Sequence, residues 1–70
     1  MGRARSKRVR LILTEIAKSR KWWTWDELTD EVNRSLGVRG ASKMTVIKLV
    51  REFHHETRFN ERHLREIRFI

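Results

Sequence analysis

Six side chains within ten residues, between positions 42 and 51, combine two hydroxyls, a thioether and three cations. Hydroxyls and cations can bond to base edges or to phosphates, and a methyl group can contact thymine. Thr45 and Lys48 are three positions apart, so a helix would place them on one side. The candidate nucleic-acid contacts in this stretch are Ser42, Lys43, Met44, Thr45, Lys48 and Arg51.

The same stretch carries the pattern of an amphipathic helix, for which we predict bounds of 43–55. Its apolar residues recur at i, i+3, i+4 and i+7, which is the spacing of a buried helical face. Ser42 stands just before the helix, where a hydroxyl can accept from a free backbone amide. Apolar residues Val46, Leu49, Val50 and Phe53 form the predicted buried side, and Thr45, Lys48, Glu52 and His55 form the exposed side.

The composition favours a polyanion as partner. The chain has 70 residues, 17 basic and 9 acidic, giving a net charge of +8 and a pI near 11.4. Such a field attracts nucleic acid more readily than other partners. There is no cysteine, and no apolar run approaches membrane-spanning length. We therefore expect a cytoplasmic, nucleoid-associated protein with no membrane contact.

The chain begins with a cluster of basic residues. Arg3, Arg5 and Lys7 lie within residues 1–8, which contain no acid. We predict a flexible basic arm here, able to follow phosphates or enter a minor groove. Residues 9–70 are predicted to form a single domain, whose first helix spans 9–20.

The region that follows carries strong signals for a second helix at 25–36. Thr24 and Glu27 have the spacing of a capping box, in which each side chain accepts from the other's backbone amide. Gly37 is placed to end the helix in a left-handed conformation. Trp22 and Trp23 favour a short strand, with Trp22 as the aromatic side chain most exposed for a partner.

The last segment, residues 57–70, fits two structures on local evidence. A hairpin would pair 58–60 with 65–69, since Ile67 and Phe69 alternate with Arg68. A helix at about 60–70 would begin at Asn60 and place Leu64 on its apolar face. The hairpin gives an α+β fold, and the helix gives an all-α fold with four helices.

The order of these elements resembles the winged helix-turn-helix family. The matching stretches are 23–32, with its Thr-initiated helix and E-L-x-x-x-V pattern, and 42–53, with S-x-x-T-V-x-x-x-V-x-x-F. The chain looks like the small regulators of archaea and of their viruses or plasmids. The resemblance implies an α+β fold of three helices and a short C-terminal hairpin, the wing, at about 57–70. It also implies phosphate or minor-groove contacts by Arg58, Arg62 and Arg65.

Together these features predict a sequence-reading protein that binds double-stranded DNA, and a role in transcription regulation. The third helix would enter the major groove, and Arg39 in the preceding turn would contact the backbone. Binding to RNA, including a ribosome-associated role, is one alternative. A protein-interaction module that forms a homodimer through Leu11, Trp22 and Ile47 is another. The histidines lack the i, i+4 spacing of a metal pair, and we expect no enzyme activity, metal, cofactor or small-molecule substrate.

Overall fold

The computed structural model describes residues 2–37 and 40–70, with side chains from Ser6 onward. In this part of the chain, three helices and a three-stranded antiparallel sheet form an α+β domain. The α+β prediction is confirmed, and the four-helix alternative is wrong because residues 57–70 form no helix. The elements are α1 (Gly2–Ala17), β1 (Trp23–Thr24), α2 (Trp25–Leu36), α3 (Lys43–Val50), β2 (His55–Phe59) and β3 (Arg65–Phe69).

Helix α1 is longer at its start than the sequence predicted. It begins at Gly2 instead of Val9, so residues 2–8 are helical and the predicted arm is wrong for them. Arginine, lysine and alanine are good helix formers, and nothing between Gly2 and Val9 interrupts the helix. At the other end the helix stops at Ala17, not at Arg20, which adopts a left-handed backbone with φ of 52°.

Both ends of α2 match the predicted signals. The Thr24 hydroxyl accepts from the Glu27 amide at 3.1 Å, and the Glu27 carboxylate accepts from the Thr24 amide at 3.0 Å. Gly37 ends the helix in the left-handed region with φ of 72°. The capping box and the glycine stop therefore fix α2 at the predicted bounds.

The turn before α3 packs closely against α2. At Gly40 an added Cβ would lie 1.6 Å from Asn33 Oδ1 and 2.9 Å from Asn33 Cβ. A larger residue at Gly40 would therefore push Asn33 away from the turn. Ser42 then caps α3 by accepting from the Thr45 amide at 3.2 Å, as predicted.

Helix α3 ends at Val50, five residues before the predicted end at His55. The amides of Glu52 and Phe53 bond back to the carbonyls three residues earlier, at 3.0 and 2.9 Å. Such tight bonds close a helix and redirect the chain. Phe53 consequently packs edge-on against Phe69, with ring centroids 5.6 Å apart, and His55 begins a strand.

The sheet has the strand order β1-β3-β2. Strand β1 starts at Trp23, one residue later than predicted, and pairs with β3 at Ile67. Strands β2 and β3 form the predicted hairpin, but β2 spans His55–Phe59 instead of the predicted 58–60. The turn of the hairpin contains no glycine. Instead, the Asn60 side chain accepts from the amides of Arg62 and Leu64 at 2.8 and 3.1 Å. His63 supplies the left-handed residue, with φ of 62°.

The core lies where the three helices meet β3. Val9 and Leu13 on α1 are fully buried, whereas Ile12 and Ile16 pack at the edge of the core. Burial of this apolar surface is the main source of stability for a domain without disulfides. The buried residues are Val9, Leu13, Leu28, Val32, Leu36, Ala41, Val46, Leu49, Val50, Ile67 and Phe69.

Candidate nucleic-acid interface

The outward face of α3 presents polar and cationic side chains. Val46, Leu49 and Val50 are buried and hold the helix on the body. Opposite them, Ser42, Lys43, Met44, Lys48 and Arg51 are exposed and Thr45 is half-buried. Five of the six predicted contacts are therefore accessible on α3 and its caps, and Thr45 is partly accessible.

Polar side chains at the start of α3 already have partners within the protein. The hydroxyls of Ser42 and Thr45 lie 3.1 Å apart, within hydrogen-bonding distance. Lys43 Nζ lies 3.0 Å from Asp26 Oδ1 on α2. An exposed pair of this kind is weak, so phosphate can displace the carboxylate. Within residues 2–37 and 40–70, neither Lys48 nor Arg51 is in an ion pair, so their charges face solvent.

Glu52, predicted to lie on the exposed side of the third helix, is bonded to α1. Its two carboxylate oxygens accept from Arg10 Nε at 2.8 Å and Arg10 Nη2 at 3.0 Å. These hydrogen bonds hold the pKa of Glu52 below its ordinary value of 4.5. The pair joins α1 to the end of α3 and cancels the negative charge beside Arg51.

This ion pair predicts an acid-side loss of stability. A lowered folded-state pKa means that Glu52 stabilises the fold above its unfolded pKa, and that this contribution disappears as the pH falls through the folded value. We expect Glu52→Gln to flatten the fall in melting temperature below about pH 4.5. Glu15→Gln is the matched control, because within the described residues Glu15 pairs only with Lys18, three positions along the chain and just past the end of α1. Identical acid profiles for Glu52→Gln and the wild type would contradict the role of this pair.

The arginines of the hairpin differ in how strongly they are held. Arg58 donates from Nε to Glu66 Oε1 at 2.8 Å, and its guanidinium lies 4.0 Å from the Trp22 ring centroid. Arg65 lies over the Phe59 ring at 4.8 Å. Within the described ranges, Arg62 and Arg65 are in no ion pair. The charges free for a polyanion are therefore near the hairpin turn, whereas Arg58 is engaged.

Arg68 was not among the predicted site residues, and Trp22 was predicted only as an exposed aromatic for a partner. Together they organise the outer face of the sheet. Trp22 is half-buried, and the guanidiniums of Arg58 and Arg68 both lie over its ring. Arg68 also bonds to Glu56 across the strands. The signal was present in the sequence, because Glu56-x-Arg58 and Glu66-x-Arg68 alternate in phase. The ion pairs become visible only once the hairpin register is known.

The remaining predicted cations lie outside the α3 face. Lys7 is an exposed residue of α1. Arg3 and Arg5 belong to the same helix by their backbone, and their side chains lie outside the described part. Arg39 also lies outside the described residues. Leu11, predicted for a partner contact, is 62% exposed.

No family model, curated protein or solved structure matches this chain. Among residues 2–37 and 40–70, no helix is long and apolar enough to cross a membrane. The same residues contain no cluster of three or more histidine, aspartate or glutamate side chains able to hold a metal ion.

Proposed function

We propose that this protein is a winged-helix, sequence-reading, duplex-DNA-binding protein that regulates transcription. The exposed face of α3 is the observation that carries the proposal. It presents Lys48, Arg51 and the capped Ser42 end of the helix, on a chain of net charge +8. A helix that packs on the domain by an apolar stripe and is polar on its outward side fits the width of the major groove.

The hairpin supports a winged-helix arrangement. It follows α3 after a short turn and is anchored to the core through β3, whose Ile67 and Phe69 are buried. Arg62 lies in its turn and Arg65 is the first residue of β3, so this wing can bind phosphates beside the groove that α3 enters. The asparagine-braced turn limits the freedom of these cations, which lowers the entropic cost of ordering them on DNA.

The distribution of charge supports one orientation of the domain on DNA. Helix α2 carries four acids, Asp26, Glu27, Asp30 and Glu31, against one base, Arg34. Helix α1 begins with several bases and has no acid in its first turn. Positive side chains oppose the dipole at a helix N-terminus, and a phosphate there relieves this conflict. DNA therefore approaches α3 away from Asp30 and Glu31 of α2, whereas Asp26 at the start of α2 lies beside Lys43 and is displaced by phosphate.

Titration of labelled duplex DNA at several salt concentrations tests this proposal. Each phosphate neutralised contributes about 0.9 to the slope of log affinity against log salt. Five contacts therefore predict a slope of about −4.5; they are made by Lys43, Lys48, Arg51, Arg62 and Arg65. A flat salt response would contradict the proposal. Tighter binding to a structured RNA of equal length would contradict it as well.

Lys48→Ala separates sequence reading from general attraction. The comparison uses a duplex site selected in vitro by the wild-type protein. We expect Lys48→Ala to reduce the preference for this site over random duplex, because a lysine in the major groove can donate to guanine. Lys18→Ala, which removes the same charge from a lysine paired with Glu15, should leave that preference unchanged. Equal site preference in both variants would remove Lys48 from the reading surface.

A further inference from the structure

Strand β2 is an open edge of the sheet. In the order β1-β3-β2 it pairs with β3 on one side only. Thr57, Arg58 and Phe59 are exposed, and Phe59 is 63% accessible. An exposed strand edge is a template for pairing with another strand unless its side chains oppose such pairing.

The hydrogen-bond alternation shows which backbone groups point outward from β2. The Ile70 amide donates to the His54 carbonyl at 3.0 Å, and the Asn60 amide donates to the Leu64 carbonyl at 3.0 Å. In an antiparallel ladder every second residue bonds to the partner strand. Residues 54, 56, 58 and 60 therefore face β3. The amides and carbonyls of His55, Thr57 and Phe59 face away from it.

The sequence of β2 is complementary to itself in the antiparallel direction. If Thr57 pairs with Thr57 of a second copy, Glu56 lies opposite Arg58 and His55 lies opposite Phe59. The outward backbone groups then meet as hydrogen-bonded pairs, and the Glu56–Arg58 pairs fall at the closer, non-bonded positions. A parallel arrangement would instead place like charges side by side.

The charged groups on this face retain the capacity for a second partner. Arg68 donates both of its hydrogen bonds to Oε2 of Glu56, so Oε1 accepts none within the described part of the chain. Arg58 uses Nε for Glu66, which leaves its terminal amino groups. Between β2 and β3, Glu56 lies opposite Arg68 and Arg58 lies opposite Glu66. A second copy would continue this pattern, because Glu56 of each copy would lie opposite Arg58 of the other.

We propose that two copies of this chain associate through β2 to form a continuous six-stranded antiparallel sheet with two-fold symmetry. The symmetric pairing of one surface with itself is the usual form of a homodimer. This association does not depend on DNA binding. It differs from the predicted seam of Leu11, Trp22 and Ile47, because Trp22 lies under two arginines and Leu11 lies on α1.

Sedimentation without nucleic acid, from micromolar to millimolar protein, tests the pairing. We expect a dimer for the wild type. Thr57→Pro removes an outward amide without touching the bonds to β3, and Thr57→Lys places like charges opposite each other. Each should raise the dissociation constant about tenfold or more. Thr14→Lys, the same change at an exposed position of α1, should sediment as the wild type does.

Amide hydrogen exchange locates the interface even if a variant folds poorly. In the wild type, the amides of Thr57 and Phe59 should become protected as concentration rises, whereas the Arg58 amide should be protected throughout. A monomeric wild type at millimolar concentration would overturn the proposal. So would a Thr57→Pro dimer as tight as the wild type, or protection of the Thr57 amide that is independent of concentration.

Discussion

Phe69→Ala is expected to lower the free energy of unfolding by about 3–5 kcal/mol, the usual cost of removing a buried aromatic side chain. Phe69 is 2% exposed and contacts Phe53 edge-on. It holds the end of β3 against the segment that links α3 to β2. Small domains have a total stability at the low end of about 5–15 kcal/mol. The variant should therefore be largely unfolded near physiological temperature, as measured by urea and thermal denaturation.

Phe59→Ala is the matched control for this variant. It removes the same side chain from the neighbouring strand, at a position 63% exposed. We expect a loss below about 1 kcal/mol, because little apolar surface returns to water there. Both variants should be compared at high dilution, so that association through β2 does not contribute. Equal losses would mean that the burial of Phe69 and the exposure of Phe59 are incorrect.

A triple substitution on α3 should produce the largest change in DNA affinity. Replacing Lys43, Lys48 and Arg51 by alanine removes every cation from the outward face of this helix and its C-cap. If each binds a phosphate, the salt slope becomes shallower by about 2.7. Affinity at low salt should fall by orders of magnitude. Fluorescence anisotropy with a labelled duplex measures both quantities.

A control triple removes the same charge elsewhere. Lys18, Lys21 and Arg34 lie near the end of α1 and on α2, and Lys18 and Arg34 are each paired with a glutamate. Their replacement by alanine should weaken binding only through the general field, which salt screens within about 10 Å at 0.1 M. If both triples lost equal affinity and equal slope, binding would follow net charge and α3 would have no special role.

Local sequence signals determined the parts of the fold that depend on neighbouring residues. Thr24 with Glu27, Gly37 and Ser42 each satisfy backbone groups within a few positions. Their effect can be read from spacing alone. The buried stripe of α3 was also predictable, because a helix of regular period has only one way to turn apolar side chains inward.

The parts of the fold that were predicted wrongly or left open depend on contacts between residues that are distant in sequence. The choice between hairpin and helix for the tail depended on β3 pairing with β1, some forty residues earlier. The early end of α3 places Phe53 against Phe69, which no local pattern reveals. The helical start of α1 was missed because a run of bases without an apolar stripe is typical of both an exposed helix and an unstructured arm.

In the candidate site, too, features that depend on local pattern were predicted and features that depend on contacts between elements were not. The sequence predicted which residues of α3 face outward, since helical period decides that. It did not predict that Lys43 meets Asp26, or that Arg10 neutralises Glu52. Nor did it predict that Arg58 is held by Glu66 and Trp22. These ion pairs join different elements, so they appear only after the elements are packed together.

An NMR titration of the isotope-labelled protein with unlabelled duplex DNA tests the central proposal most directly. We expect the largest amide shift changes at residues 42–48 on α3 and 60–65 at the hairpin turn. Residues 30–34 on the acidic side of α2 should change little. Changes confined to α2, or none at a duplex concentration that saturates binding in the anisotropy assay, would contradict the placement of α3 on DNA.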